Sequence, residues 1–236
     1  MDGPAVGPAG HNGGMTSDSL TEPGGPAAEL HRRWAATVAR TRGAAGPDPA
    51  PYAENLLARW AEPQRRYHTV AHLAAVLARV DELAAYAADP GTVELAAWFH
   101  DAVYRPDRSE NEERSAALAE RALPELGLDA ARTAQVARLV RLTVSHDPEP
   151  GDRDGEVLCD ADLAVLAGTP DAYAAYAAAV REEYGFVPDP DFTAGRAAVL
   201  RQLLGLPRLF RTPLGRERWE DAARHNLATE LALLNS

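Results

Sequence analysis

Lysine is absent from this 236-residue chain, so all 24 of its basic side chains are arginine. A Schiff-base mechanism, a lysine general base and a phosphate loop ending in Gly-Lys-Ser/Thr are thereby excluded, because each needs an ammonium group. The wealth of Ala, Arg, Gly and Pro has the look of GC-rich codons, in which lysine is scarce. Cysteine is nearly absent as well: Cys159 stands alone and cannot form an internal disulfide. Nor is there a basic excess, for 35 acidic groups against 24 basic ones leave a formal charge of −11. That balance disfavours a general nucleic-acid binder and a protein resident on an anionic membrane, while leaving room for a local arginine pocket. No run approaches the roughly 20 apolar residues of a membrane span, and no charged-then-apolar leader opens the chain. A cytoplasmic protein is expected.

Residues 1–26 lack aromatic side chains and hold seven of the 18 glycines and four of the 18 prolines. So little apolar surface cannot offset the cost of ordering a chain, so a disordered tail is expected there, with Met15 as the expected true start. Residues 27–236 then form one domain around one core.

Alternating Val/Ile/Thr runs are missing too, which leaves little from which to build a sheet. Helical periodicity is present instead, and it predicts an all-α bundle of about eight to ten helices. Segments 27–41, 52–60, 67–87, 92–100, 111–124, 129–144, 155–167, 170–184, 192–205 and 215–234 carry apolar residues at three- and four-residue intervals. Asp89-Pro90-Gly91, the 147–151 stretch and Val187-Pro188-Asp189-Pro190 punctuate them. The helix after Gly91 is apolar almost all round, as in Val93, Leu95, Ala96, Ala97, Trp98 and Phe99, and is expected to be buried.

Four of the seven histidines, His68, His72, His100 and His146, fall between residues 68 and 146. His68 and His72 stand four apart, which puts both on one side of a helix beginning near Tyr67. His100-Asp101 ends the apolar helix, and a carboxylate buried there needs an arginine or a metal ion to meet it. Asp160 and Asp162 occupy a second apolar string, where residues two apart cannot share a helix face, so at most one of them can point with the apolar stripe towards the same interior site. Imidazoles and carboxylates converging from three helices suit one divalent ion such as Mn, Fe, Co, Ni, Zn or Mg. Ser145-His146-Asp147 is not a hydrolase triad, because consecutive side chains point apart. Ser109 and Glu112 fit a capping box at the start of the fifth helix. Cys159, among acidic neighbours, reads as a small buried residue rather than a nucleophile.

The ordered set Tyr67-His68-x-x-x-His72, His100-Asp101 and Asp160-x-Asp162-Leu163 resembles the HD superfamily of metal-dependent phosphohydrolases. Leu95 to Tyr104, Asn111-Glu112-Glu113-Arg114-Ser115-Ala116 and Arg181-Glu182-Glu183-Tyr184 resemble strings of one branch of predicted phosphohydrolases within it. The likeness covers roughly residues 28–234. It implies a single HD-type domain with His72, His100, Asp101 and Asp162 as metal ligands and Asp160 behind them. It also implies a catalytic His68, acting as general acid beside the Asp101 centre. Arg114, Arg181, His146 and Asn111 would face the substrate, with Arg141 and Arg196 next in line. The implied reaction is hydrolysis of a phosphate ester or anhydride in a small phosphorylated compound, such as a nucleotide, by a metal-activated water. A non-catalytic nucleotide sensor and a di-iron oxygenase on the same scaffold stay open as alternatives.

Overall fold

The computed structural model describes residues 25–235. The expected tail lies outside the described residues apart from Gly25 and Pro26, and Met15 lies outside them as well. Among the described residues there are eleven α-helices, two 3-10 turns and no strand. Helices α1 (Pro26–Arg42) and α2 (Ala50–Trp60) each carry a proline in the first turn, where the missing N–H would have had no partner. Gly43 ends α1 with φ of 70°, a left-handed conformation that lets its N–H reach the Ala39 carbonyl at 3.2 Å.

Helix α3 (Val70–Leu83) begins later than its periodicity predicts, and its continuation over Ala84–Tyr86 is a 3-10 turn. Tyr67 and His68 therefore precede the helix, and the expectation that His68 and His72 project from one helix is corrected. The cause is a long-range contact. The Glu183 carboxylate accepts the backbone N–H groups of Arg66, Tyr67 and His68 at 2.8, 2.9 and 2.9 Å, holding that segment out of the helix.

Helix α4 (Pro90–Phe99) is the central element. Asp89 caps it, accepting from the Thr92 N–H at 3.1 Å. Gly91 through Phe99 are all buried, and α4 packs against α1, α3 and three later helices, α5 (Asn111–Glu125), α6 (Ala130–Leu142) and α7 (Arg153–Leu163). Trp34 of α1 meets Trp98 edge-on at 5.3 Å, and the Trp60 indole N–H donates to the Trp98 carbonyl at 3.1 Å. The one acid of α4, Glu94, is buried only because Arg33 and Arg40 reach it at 2.6 and 2.5 Å.

Helices α5 (Asn111–Glu125) and α6 (Ala130–Leu142) pack on each other. The capping box expected at the start of α5 does not form: Glu110 is the N-cap and its side chain makes no cap bond. Helix α7 (Arg153–Leu163) is capped by Asp152, and a 3-10 turn over Ala164–Ala167 leads to α8 (Pro170–Glu183) and α9 (Asp189–Gly205). The expected last helix is two, α10 (Pro213–Arg218) and α11 (Glu220–Leu234), because Trp219 leaves helical geometry at φ −120° and packs on Phe210. Trp219, Ala223 and Leu227 are buried, so α11 faces the core. No single helix among the described residues is long and apolar enough to cross a membrane.

Candidate metal centre

Three core helices each bring one polar side chain to a common point. The apolar α4 ends at His100, α3 supplies His72 and the last turn of α7 supplies Asp162. His72 Nε2 lies 3.3 Å from His100 Nε2 and 3.1 Å from Asp162 Oδ1, and His100 Nε2 lies 3.7 Å from that same oxygen. Asp101 Oδ2 approaches His100 Nε2 to 3.3 Å. His72, His100 and Asp101 are all buried, and Asp162 nearly so.

The donor set fits a cation. His100 Nδ1 is 2.8 Å from the Ala97 carbonyl, which can only accept, so Nδ1 carries the proton and Nε2 offers its lone pair to the cluster. Two carboxylates and that nitrogen thus bring lone pairs, while His72 can add at most one proton on Nε2. Ligand bonds of about 2.1 Å to one ion place neighbouring ligand atoms roughly 3.0–3.5 Å apart, close to the separations found here. Burial keeps the His72 imidazole below its ordinary range, against the pull of Asp162, and so favours the neutral form that binds metal. Burial would raise Asp162, but the imidazoles of His100, His146 and His72 hold it well below the carboxylate range.

His146 joins the cluster from the loop after α6. Its Nε2 lies 2.8 Å from Asp162 Oδ2, on the side away from His72. It is the one non-glycine among the described residues with positive φ, at 50°, and that strained backbone aims the ring.

On the opposite side, His68 Nδ1 donates to Glu183 Oε2 at 2.7 Å and its Nε2 faces Asp101 Oδ2 at 3.9 Å. Burial opposes charging of this imidazole, but Asp101, Glu183 and Asp162 outweigh it and raise its pKa. Glu183 also accepts the Tyr104 hydroxyl at 3.2 Å. Arg65 lies buried between the Trp60 and Tyr104 rings, at 5.2 and 5.4 Å from their centroids. Burial lowers its pKa while the nearby Asp101, Glu62 and Glu183 oppose the shift. Arg65 donates to the His68 and Ala102 carbonyls at 2.9 and 3.3 Å, and its ion pair is with Glu62 at 3.7 Å.

Tyr67 stands between the rings of His72 and Tyr176, 4.7 Å from each, and its buried hydroxyl has no partner within the protein. It lines a cavity of about 280 Å³ together with Asp162, His146, His68 and Arg196. A second cavity of about 470 Å³ adjoins it across His68, Tyr176, Arg196 and Val199.

Other expected site residues point elsewhere. Asp160 is corrected from a role behind the metal: Oδ1 accepts from the Arg211 N–H at 2.7 Å, and Oδ2 accepts from the Thr212 N–H and hydroxyl at 2.8 and 2.7 Å. Asp160 therefore ties α7 to the start of α10, where Gly215 packs so closely that a Cβ would come within 2.5 Å of its carboxylate. Burial raises Asp160 to about 6, against the bonds from Thr212 and Arg211. Asn111 closes its own loop, accepting from the Arg105 N–H at 3.0 Å and donating to the Arg105 and Arg108 carbonyls at 2.9 and 3.1 Å. Arg181 donates to the Tyr184 and Val187 carbonyls and to Asp189, and Arg114 is exposed and lines neither cavity. The expectation that these three meet substrate is corrected. Arg141 is held at the surface by Glu113 and Glu120. Cys159 is buried, which raises its thiol pKa.

Sequence reasoning missed Arg65 and gave no role to Glu183 and Tyr67, which stand in the quoted strings. A signal for Glu183 exists, since Tyr173, Tyr176, Val180 and Glu183 follow one helical stripe and put an acid on the buried face. Comparison with models of protein families, with curated proteins and with solved structures finds no match to this chain.

Proposed function

We propose that this chain is a metal-dependent phosphohydrolase of the HD type, acting on a small phosphorylated compound. The observation that carries the reading is the convergence of His72, His100 and Asp162 at 3.1–3.7 Å, with Asp101 Oδ2 3.3 Å from His100 Nε2, beside a cavity. When bound there, a divalent ion acidifies water and polarises a phosphoryl oxygen. The chain's own residues do the rest. His146 and the Ala97 carbonyl fix the orientation of Asp162 and His100. His68, held through Nδ1 by Glu183, turns Nε2 toward the reacting group, and the Asp101 and Glu183 carboxylates favour its protonated form. As water adds to phosphorus and the bond to the leaving oxygen breaks, that proton passes from Nε2 to the leaving oxygen. The partnerless Tyr67 hydroxyl, which burial keeps protonated, donates to a phosphoryl oxygen.

The test is metal analysis of protein purified without a histidine tag, followed by a phosphate-release screen over phosphorylated small molecules. Wild type should carry about one ion per chain and release phosphate, while His100→Ala and Asp101→Asn should lose both. Tight nucleotide binding with no phosphate released from any compound would replace this reading with that of a sensor. Two irons per chain with O2 consumption would replace it with that of an oxygenase.

A further inference from the structure

We infer that the two adjoining cavities form one substrate site, built for a phosphomonoester whose organic part is uncharged and apolar or aromatic. The inference rests on the phosphohydrolase reading of the cluster and adds the substrate class. The smaller cavity touches Asp162, His146 and His68 directly, so it is where a phosphoryl group would lie. The larger one continues from it between α8 and α9, with walls of Tyr176, Val180, Tyr184, Val187, Phe192 and Val199. Few convergent polar groups at one end and apolar walls at the other are the pattern of a small-molecule site.

Three of the four large exposed apolar side chains lie at or next to these cavities. Among the described residues the large exposed ones are Val144, Phe186, Val199 and Leu233. Val199 lines both cavities, Val144 lines the smaller, and Phe186 stacks on Tyr184 at 6.1 Å and 24°. Apolar surface concentrated around a cleft marks a surface that an apolar group covers.

Charge narrows the class further. Arg196 is the one arginine lining either cavity, and it is already neutralised: Nε and one amino nitrogen hold Glu230 at 2.7 and 2.9 Å. Its other nitrogen donates to the Tyr176 hydroxyl at 3.3 Å, so it braces the wall. Asp191 adds a carboxylate to the larger cavity. A di- or triphosphate tail would set further negative charge against these acids with no free cation to meet it. One phosphoryl group, held at the cluster, is what the lining supports.

Gly195 of α9 provides the test. It lines the larger cavity, and a Cβ built there meets nothing within 4 Å, so a bulky side chain fills space without disturbing the helix. Binding of inorganic phosphate, methylphosphonate and benzylphosphonate to the Mn2+-loaded full chain is measured by calorimetry. Benzylphosphonate should bind at least about 10-fold more tightly than methylphosphonate, the gain expected for burying one ring. In Gly195→Trp that ratio should fall toward one, whereas Gly195→Ala should keep it, with circular dichroism reporting that both fold. Equal affinities in wild type would overturn the inference and leave the phosphohydrolase reading standing. An unchanged ratio in Gly195→Trp would overturn the placement of the organic group. No binding of phosphate or of either phosphonate would sink the reading itself, and the inference with it.

Discussion

Replacing Glu183 with glutamine tests the least expected part of this site. The Glu183 side chain is fully shielded, and one oxygen accepts three successive backbone N–H groups while the other accepts from His68 Nδ1 and the Tyr104 hydroxyl. Burial alone would raise its pKa, but the hydrogen bond and charge of His68 and the N–H groups of Arg66 and His68 hold it at about 2, against an ordinary 4.5. That difference corresponds to about 3 kcal/mol of folding stability. Because the folded value lies below the unfolded one, the stabilisation is complete above about pH 5 and is lost as pH falls through about 4.5 to about 2. Glutamine cannot ionise, and its amide nitrogen would face either the backbone donors or His68. Urea denaturation should therefore find Glu183→Gln about 3 kcal/mol less stable than wild type at pH 7, with the gap narrowing by about 2 kcal/mol at pH 3. The variant should also weaken the hold on His68, moving the acidic or basic limb of the activity profile while metal content stays. A gap under about 0.5 kcal/mol at pH 7, or one that does not change with pH, would refute the reasoning.

Two further outcomes follow from the same geometry. His146→Asn should lower metal affinity about 10- to 100-fold by releasing Asp162 Oδ2, as read by competition with a fluorescent chelator, and an unchanged affinity would remove His146 from the centre. Thr212 donates its hydroxyl to buried Asp160 and accepts the Gly215 N–H at 3.0 Å as the cap of α10, so Thr212→Val should cost about 2 kcal/mol in thermal or urea melts. Thr212→Ser should recover most of that, and equal loss in both variants would contradict the hydrogen-bond account.

Composition and periodicity alone were enough to decide the helical class, because helix formers at three- and four-residue spacing leave no alternating pattern for a sheet. They also marked α4 as buried, since Val93 to Phe99 are apolar apart from Glu94, and showed that Asp160 and Asp162 could not point the same way. The break at Trp219 and the late start of α3 were not legible, for both answer to packing partners outside their own helix: Phe210 for one, Glu183 for the other. The same holds for the site. Its histidines and aspartates could be picked out by residue type and order, yet which acid faces them, and that His146 reaches Asp162, is decided by packing among α3, α4, α7 and the loop after α6. Arginine roles were the least legible of all. A guanidinium is long enough to pair with any nearby carboxylate or carbonyl, so only the tertiary structure separates Arg181 and Arg114 at the periphery from Arg65, buried between the Trp60 and Tyr104 rings.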